Sequence, residues 1–190
     1  MFRLESFRDS IAKIAEVLQR HDIAFHLTGG VTSIAYGEPR MTQDIDLVID
    51  NTAAAYNIDK VIASLLEFEF LFDEEAVRKA VRDKRMFQLL DTHESLKLDI
   101  YPRELIAGEL SRSEMHEVFA GVELPVASLP DAALSKLIWI SKGSHKNRRD
   151  VRRIVSRATS VQRTTIDKLV VEHQLKDLLS EVLAEPDEIE

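Results

Sequence analysis

Three aspartates frame the chemistry available to this sequence. Asp44 and Asp46 are separated by one residue in the run DIDLVI. Strand side chains alternate faces, so both carboxylates project to one side, about 7 Å apart along the chain. Ile45 then points into the core and anchors the strand. Two like charges this close are unfavourable unless a cation neutralises them. Asp99 lies in a second strand-like run, LKLDIY, with Leu98 and Ile100 on the opposite face. If the two strands are neighbours, the three carboxylates share one site and can bind two divalent ions. One ion lowers the pKa of an attacking hydroxyl, and the other bridges a triphosphate and its leaving group. The reaction implied is an in-line displacement at phosphorus. A D-x-D pair by itself is also common on solvated strand faces, so its context decides.

That context begins at Gly29 and Gly30, which follow the strand-like AFHLT and precede the helix-like VTSIAY. Missing side chains there let a phosphate approach backbone N–H groups at the positive end of a helix, although a plain tight turn has the same signature. Ser33, one turn further on, has a hydroxyl for phosphate or sugar. Arg40 and Thr42 lie just ahead of the D-x-D, where a guanidinium and a hydroxyl suit triphosphate, or simply a solvated loop.

The elements that must position these residues are legible from periodicity. Apolar positions Phe7, Ile11, Ile14, Ala15 and Leu18 recur at helical spacing through Arg20, with Ser6 as N-cap. After the DIDLVI strand, residues 53–66 read as a helix and 67–72 (EFEFLF) as an alternating strand. Another helix closes over 79–83, and residues 85–90 and 96–101 form a hairpin around Asp91, Thr92 and His93. Beyond Pro125 the texture turns helical over 131–140, 147–157 and 164–183. This order predicts an α/β (α+β) fold, a mixed sheet flanked by helices, with a core over residues 1–125 and a C-terminal helical region over 126–190.

Composition narrows the function further. The chain of 190 residues contains no cysteine, which excludes thiolate zinc sites and a cysteine nucleophile and favours hard cations such as magnesium. Neither a membrane span nor a secretory signal is evident, so a soluble, cytoplasmic protein is expected. The net charge of −8 argues against whole-surface binding to nucleic acid. Residues 136–163 nevertheless hold nine bases against the single acid Asp150, and residues 181–190 hold five acids and no base. The basic tract reads either as a solvated helix face or as a surface for triphosphate or RNA, and Trp139 alone makes no stacking platform. The histidines show no metal spacing, and His26 reads as a satisfied core or rim residue.

The ordered string TGG, SIAYG, PRMTQDIDLVI and LKLDIY resembles the polymerase β-type nucleotidyltransferase superfamily, over roughly the first hundred residues. The R-x-T-x-D-I-D arrangement and the later LPDAALSKLIWISKGSHKNRRDVRRI are similar to the small standalone nucleotidyltransferase toxins of abortive-infection and toxin–antitoxin systems. The resemblance implies that Lys136 is a triphosphate ligand and Asp150 its structural partner on the next helix. It also implies transfer of a nucleotide from an NTP, with magnesium, to a tRNA end, a protein side chain or a small molecule, and a possible antitoxin partner. Gly30 replaces the serine common in the superfamily, which shifts phosphate contacts toward Ser33 and the backbone. A non-catalytic RNA- or protein-binding scaffold on the same fold is the rival expectation.

Overall fold

In the computed structural model, which describes residues 4–36 and 44–186, FHLT forms β1 (Phe25–Thr28) and DIDLVI forms β2 (Asp44–Ile49). The remaining strands are β3 (Phe70–Leu71), β4 (Phe87–Asp91), β5 (Leu96–Tyr101), β6 (Glu114–Phe119) and β7 (Val122–Val126). Among the described residues they make one seven-stranded sheet in the order β3-β4-β5-β2-β1-β7-β6. The sheet is mixed: β2 runs parallel to β5 and β1 parallel to β7, while the other neighbouring pairs are antiparallel.

Register determines what each face carries. Across β2 and β5, Asp44 faces Lys97, Ile45 faces Leu98, Asp46 faces Asp99, Leu47 faces Ile100 and Val48 faces Tyr101. Because the side-chain period is two, one face of this pair is polar and the other is Ile45, Leu47, Leu98 and Ile100, all buried. β1 continues both rows, with Leu27 beside Leu47 and Thr28 beside Asp46.

The helices are α1 (Leu4–Arg20), α2 (Gly30–Tyr36), α3 (Asn51–Tyr56), α4 (Ile58–Glu67), α5 (Glu74–Asp83), α6 (Leu129–Ser141), α7 (Arg148–Ser156), α8 (Ser160–Glu172) and α9 (Lys176–Ala184). α1 covers the apolar face of the sheet, burying Phe7, Ile11, Ile14 and Leu18. Its polar residues reach the same face at Asp91: Ser10 Oγ donates to Asp91 Oδ2 at 2.8 Å, and Lys13 Nζ donates to both carboxylate oxygens at 3.0 Å. Asp91 is fully buried in β4, where a turn position was expected. The apolar cluster runs from Phe7 through the sheet to Val182, so α6 to α9 pack on the same core.

Other local expectations shift for identifiable reasons. Ser6 lies inside α1 rather than capping it, because the helix already includes Leu4. The helix expected over 53–66 divides at Asn57, and Asp50 caps its first part by accepting from the Ala53 N–H. The strand expected over 67–72 shrinks to Phe70–Leu71, since Glu67 ends α4 and Glu69 turns at φ +60°. The last helix divides into α8 and α9 around Gln174, at φ +58°. The β6–β7 hairpin was not foreseen, and it supplies the strand that pairs with β1.

Removing the Asp91 carboxylate should strand the Ser10 hydroxyl and the Lys13 ammonium against an apolar face. Asp91→Ala is expected to lower unfolding free energy in urea by ~2–4 kcal/mol.

Candidate active site

The polar rows of β1, β2 and β5 open into a cleft of about 630 Å³ whose lining includes Asp44, Asp46, Asp99, Gly29, Gly30 and Lys136. Asp46 and Asp99 stand directly opposite one another on the parallel ladder. Burial, reinforced by the charges of Asp99 and Asp44, pushes the Asp46 carboxyl up to about 6. Burial first, then the charges of Asp46 and Asp99, raises the pKa of the Tyr101 hydroxyl above the ordinary phenol value. Asp99 Oδ1 is buried without a hydrogen-bond partner. Lys97 lies at the edge of the group, its Nζ 3.4 Å from Asp44 Oδ1 and 3.2 Å from Asp99 Oδ2.

Among the described residues, no group of three or more His, Cys, Asp or Glu side chains already converges on a point that could hold a metal ion. The carboxylates fit a hard divalent cation in other respects. They are oxygen donors, they carry more negative charge than Lys97 balances, and one buried oxygen lacks a partner.

Gly29 is required by the close approach of Asp46. The backbone leaves β1 and turns into α2 with Gly29 at φ +59°, and a Cβ placed there would lie 2.0 Å from Asp46 Oδ2. The Gly29 carbonyl accepts from Thr32 Oγ1 at 2.8 Å and from Lys136 Nζ at 3.2 Å, so the turn is clamped from two sides. Lys136, on α6, is buried, and its ammonium also donates to Asp150 Oδ2 at 2.9 Å. Asp150, on α7, is thus the partner of Lys136.

Ser33 is placed differently from the phosphate-facing role suggested for it. Its hydroxyl is buried and donates to Asp150 Oδ2 at 2.8 Å, which ties α2 to α7. Arg40 and Thr42 lie outside the described residues. His26 is fully buried; its Nδ1 meets Ser113 Oγ at 2.8 Å, while its Nε2 has no hydrogen-bond partner and lies 3.8 Å from Glu109 Oε2. Burial lowers the His26 pKa to about 4 and raises that of the cleft-lining Glu109 to about 7. At neutral pH the imidazole is therefore uncharged.

The basic tract is less open than its composition implied. Arg148 pairs with Glu181 and Glu185, and Arg152 with Glu185. Lys142, over the Trp139 ring at 5.1 Å, and Lys146 line the cleft. Lys97, beside the carboxylates, and Tyr101 and Glu109 of the cleft were not singled out at the level of sequence. The first two were within reach, because Lys97, Asp99 and Tyr101 alternate onto one face of LKLDIY.

A family model described as the nucleotidyl transferase AbiEii toxin of Type IV toxin–antitoxin systems matches residues 14–176. The chain belongs to the AbiEii nucleotidyltransferase family. It is therefore a nucleotidyltransferase enzyme, and the binding-only alternative falls away. The fold is shared with the antibiotic-resistance factor ANT(2'')-Ia, solved in solution (TM-score 0.61, 14% identity, covering 95% of this chain and 97% of that one). It is also shared with the lincosamide antibiotic adenylyltransferase LnuA, solved with lincomycin bound (0.52, 16%, 79% and 97%). A third neighbour is an antigenic nucleotidyltransferase-like protein from Paracoccidioides brasiliensis (0.53, 18%, 95% and 93%). No curated protein matches the chain. Among the described residues no helix is long and apolar enough to cross a membrane.

Gly29→Ala in this AbiEii-family chain is expected to lower stability by at least ~2 kcal/mol, from the left-handed backbone and the collision with Asp46 together. Differential scanning calorimetry reads the loss. A second expectation follows from the Asp46 carboxyl, whose ordinary value is 3.8 and whose native value is about 6. Between those values the folded protein keeps a proton that the unfolded chain releases, so stability falls as pH rises through the window and the whole penalty is present above it. In EDTA, Asp46→Asn should melt above the wild type by ~3 °C or more at about pH 8, with the gap closing by about pH 4.

Proposed function

We propose that this AbiEii-family enzyme transfers a nucleoside monophosphate from an NTP, with magnesium, to an acceptor hydroxyl on an RNA end such as that of tRNA or on a protein, as the toxin partner of an antitoxin. The observation that carries the reading is the direct pairing of Asp46 with Asp99, with Asp44 on the same face, inside a cleft that also contains Lys136. Asp44, Asp46 and Asp99 would hold the divalent ions. Bound there, such ions supply neutralisation of the triphosphate and a lowered pKa for the attacking hydroxyl.

The residues of the chain have separate tasks in this reading. Gly29 and Gly30 keep the turn bare beside Asp46, so a phosphate meets backbone there. The Lys136 ammonium, already oriented by Asp150 and the Gly29 carbonyl, faces the negative charge that develops on leaving pyrophosphate. Tyr101, two residues past Asp99 on the same face of β5, lines the cleft beside the carboxylates. Arg40 and Thr42 keep the role suggested by their place before the D-x-D, next to the triphosphate. The proposed division of labour follows the boundary read from sequence: residues 1–125 supply the carboxylates and 126–190 the buried lysine.

A small-molecule acceptor is the second reading, favoured by the volume of the cleft, which is of the size that encloses a small ligand. ANT(2'')-Ia, an antibiotic-resistance factor, and LnuA, a lincosamide antibiotic adenylyltransferase, share the fold.

One experiment separates these readings. Purified protein is incubated with each α-labelled NTP, magnesium, and total cellular RNA or protein, with Asp46→Ala as control. Wild-type-only label on RNA or protein is expected; label that appears only with an added aminoglycoside or lincosamide would move the conclusion to a small acceptor. Trp139 is the single tryptophan of the chain and lines the cleft, so the productive NTP should also change its fluorescence. Equal labelling by the Asp46→Ala variant would overturn the assignment.

A further inference from the structure

Lys97 occupies the position where the charge of the site most needs a cation. It lies two residues before Asp99 on β5 and opposite Asp44 in the register with β2. Its ammonium is 3.4 Å from Asp44 Oδ1 and 3.2 Å from Asp99 Oδ2, so one positive group spans the two outer carboxylates. Asp46 lies beside both, and the group of three aspartates and one lysine keeps an excess of negative charge. The Lys97 side chain is 40% exposed, whereas that of Asp99 is 12% exposed. The Asp99 carboxylate is therefore held, whereas the ammonium, like the 49% exposed Asp44 side chain, can swing out on its own stem. Being tethered, it competes with free ions at a high local concentration.

We propose that Lys97 is a built-in counter-ion of the carboxylate site, holding the place of one divalent cation until an incoming triphosphate draws it away. This rests on the three-aspartate reading of the site given above. In the nucleotide-free protein Asp44, Asp46 and Asp99 would then keep, beyond what Lys97 neutralises, enough negative charge to hold one divalent ion. The arrangement explains why the three carboxylates do not yet converge on a single point: two of them are turned to an ammonium. It also accounts for a lysine on a strand face where salt-bridge geometry alone would contribute little, since half-exposed ion pairs stabilise weakly.

The test is a titration of the full chain with Mn2+ alone, followed by electron paramagnetic resonance, for wild type, Lys97→Met and Lys97→Arg. Removing a unit positive charge within a few ångströms of the site should tighten Mn2+ binding on the order of tenfold or more. Lys97→Arg should bind like wild type, and adding Asp99→Asn to Lys97→Met should abolish the gain. Equal Mn2+ affinity in wild type and Lys97→Met, with binding in both lost on Asp46→Ala, would overturn the counter-ion role and leave the metal site standing. Mn2+ binding that is indifferent to Asp46→Ala in every background would overturn both. Lys97→Gln provides a second neutral variant should Lys97→Met lose its fold.

Discussion

Asp46 and Asp99 stand opposite one another on parallel strands, two acids held where the backbone ladder gives them no freedom to separate. Such a pairing is unfavourable in an ordinary sheet, and like charges directly opposite weaken strand association. Here the surroundings are organised around it. The apolar reverse face, packed under α1, keeps β2 and β5 in register; the polar face then has no choice about which side chains meet. Lys97 takes up part of the charge from the same strand that carries Asp99. The glycine turn exists because Asp46 needs the space that any side chain at position 29 would fill.

A second layer of organisation fixes that turn from a distance. Lys136 on α6 reaches the Gly29 carbonyl, Asp150 on α7 holds Lys136, and Ser33 on α2 holds Asp150. Each of these groups is costly to bury alone, and each satisfies another. The network joins the glycine turn to the C-terminal helices through charged hydrogen bonds rather than through apolar contact alone, so the C-terminal half contributes directly to the geometry of the cleft.

Much of this was legible because it rests on short-range periodicity. The bounds of β2 and β5 follow from the alternation in DIDLVI and LKLDIY, and the juxtaposition of their aspartates required only that the two strands be neighbours. What escaped depended on long-range partners. Asp91 read as a turn residue, since nothing near it in sequence announces Ser10 and Lys13, some eighty positions away. Ser33 looked like a phosphate ligand because its hydroxyl sits one turn past two glycines, yet its partner lies on α7. The basic tract looked unopposed because the acids that engage Arg148 and Arg152, Glu181 in α9 and Glu185 just after it, lie some thirty-five positions further along the chain. Lys97 is a different case: the period of two already placed it beside Asp99, and only attention to the acids hid it.

The Lys136–Asp150–Ser33 clasp also has a temporal meaning. A ribosome delivers the three site aspartates within the first hundred residues, but the lysine that clamps the glycine turn follows thirty-seven residues after Asp99, and its carboxylate partner later still. Folding during synthesis favours N-terminal units first, so a growing chain would assemble its sheet around a turn that nothing yet holds from behind. On the roles proposed for these residues, competence for chemistry would arrive late, when α7 docks, and the birth of the fold would precede the birth of the activity.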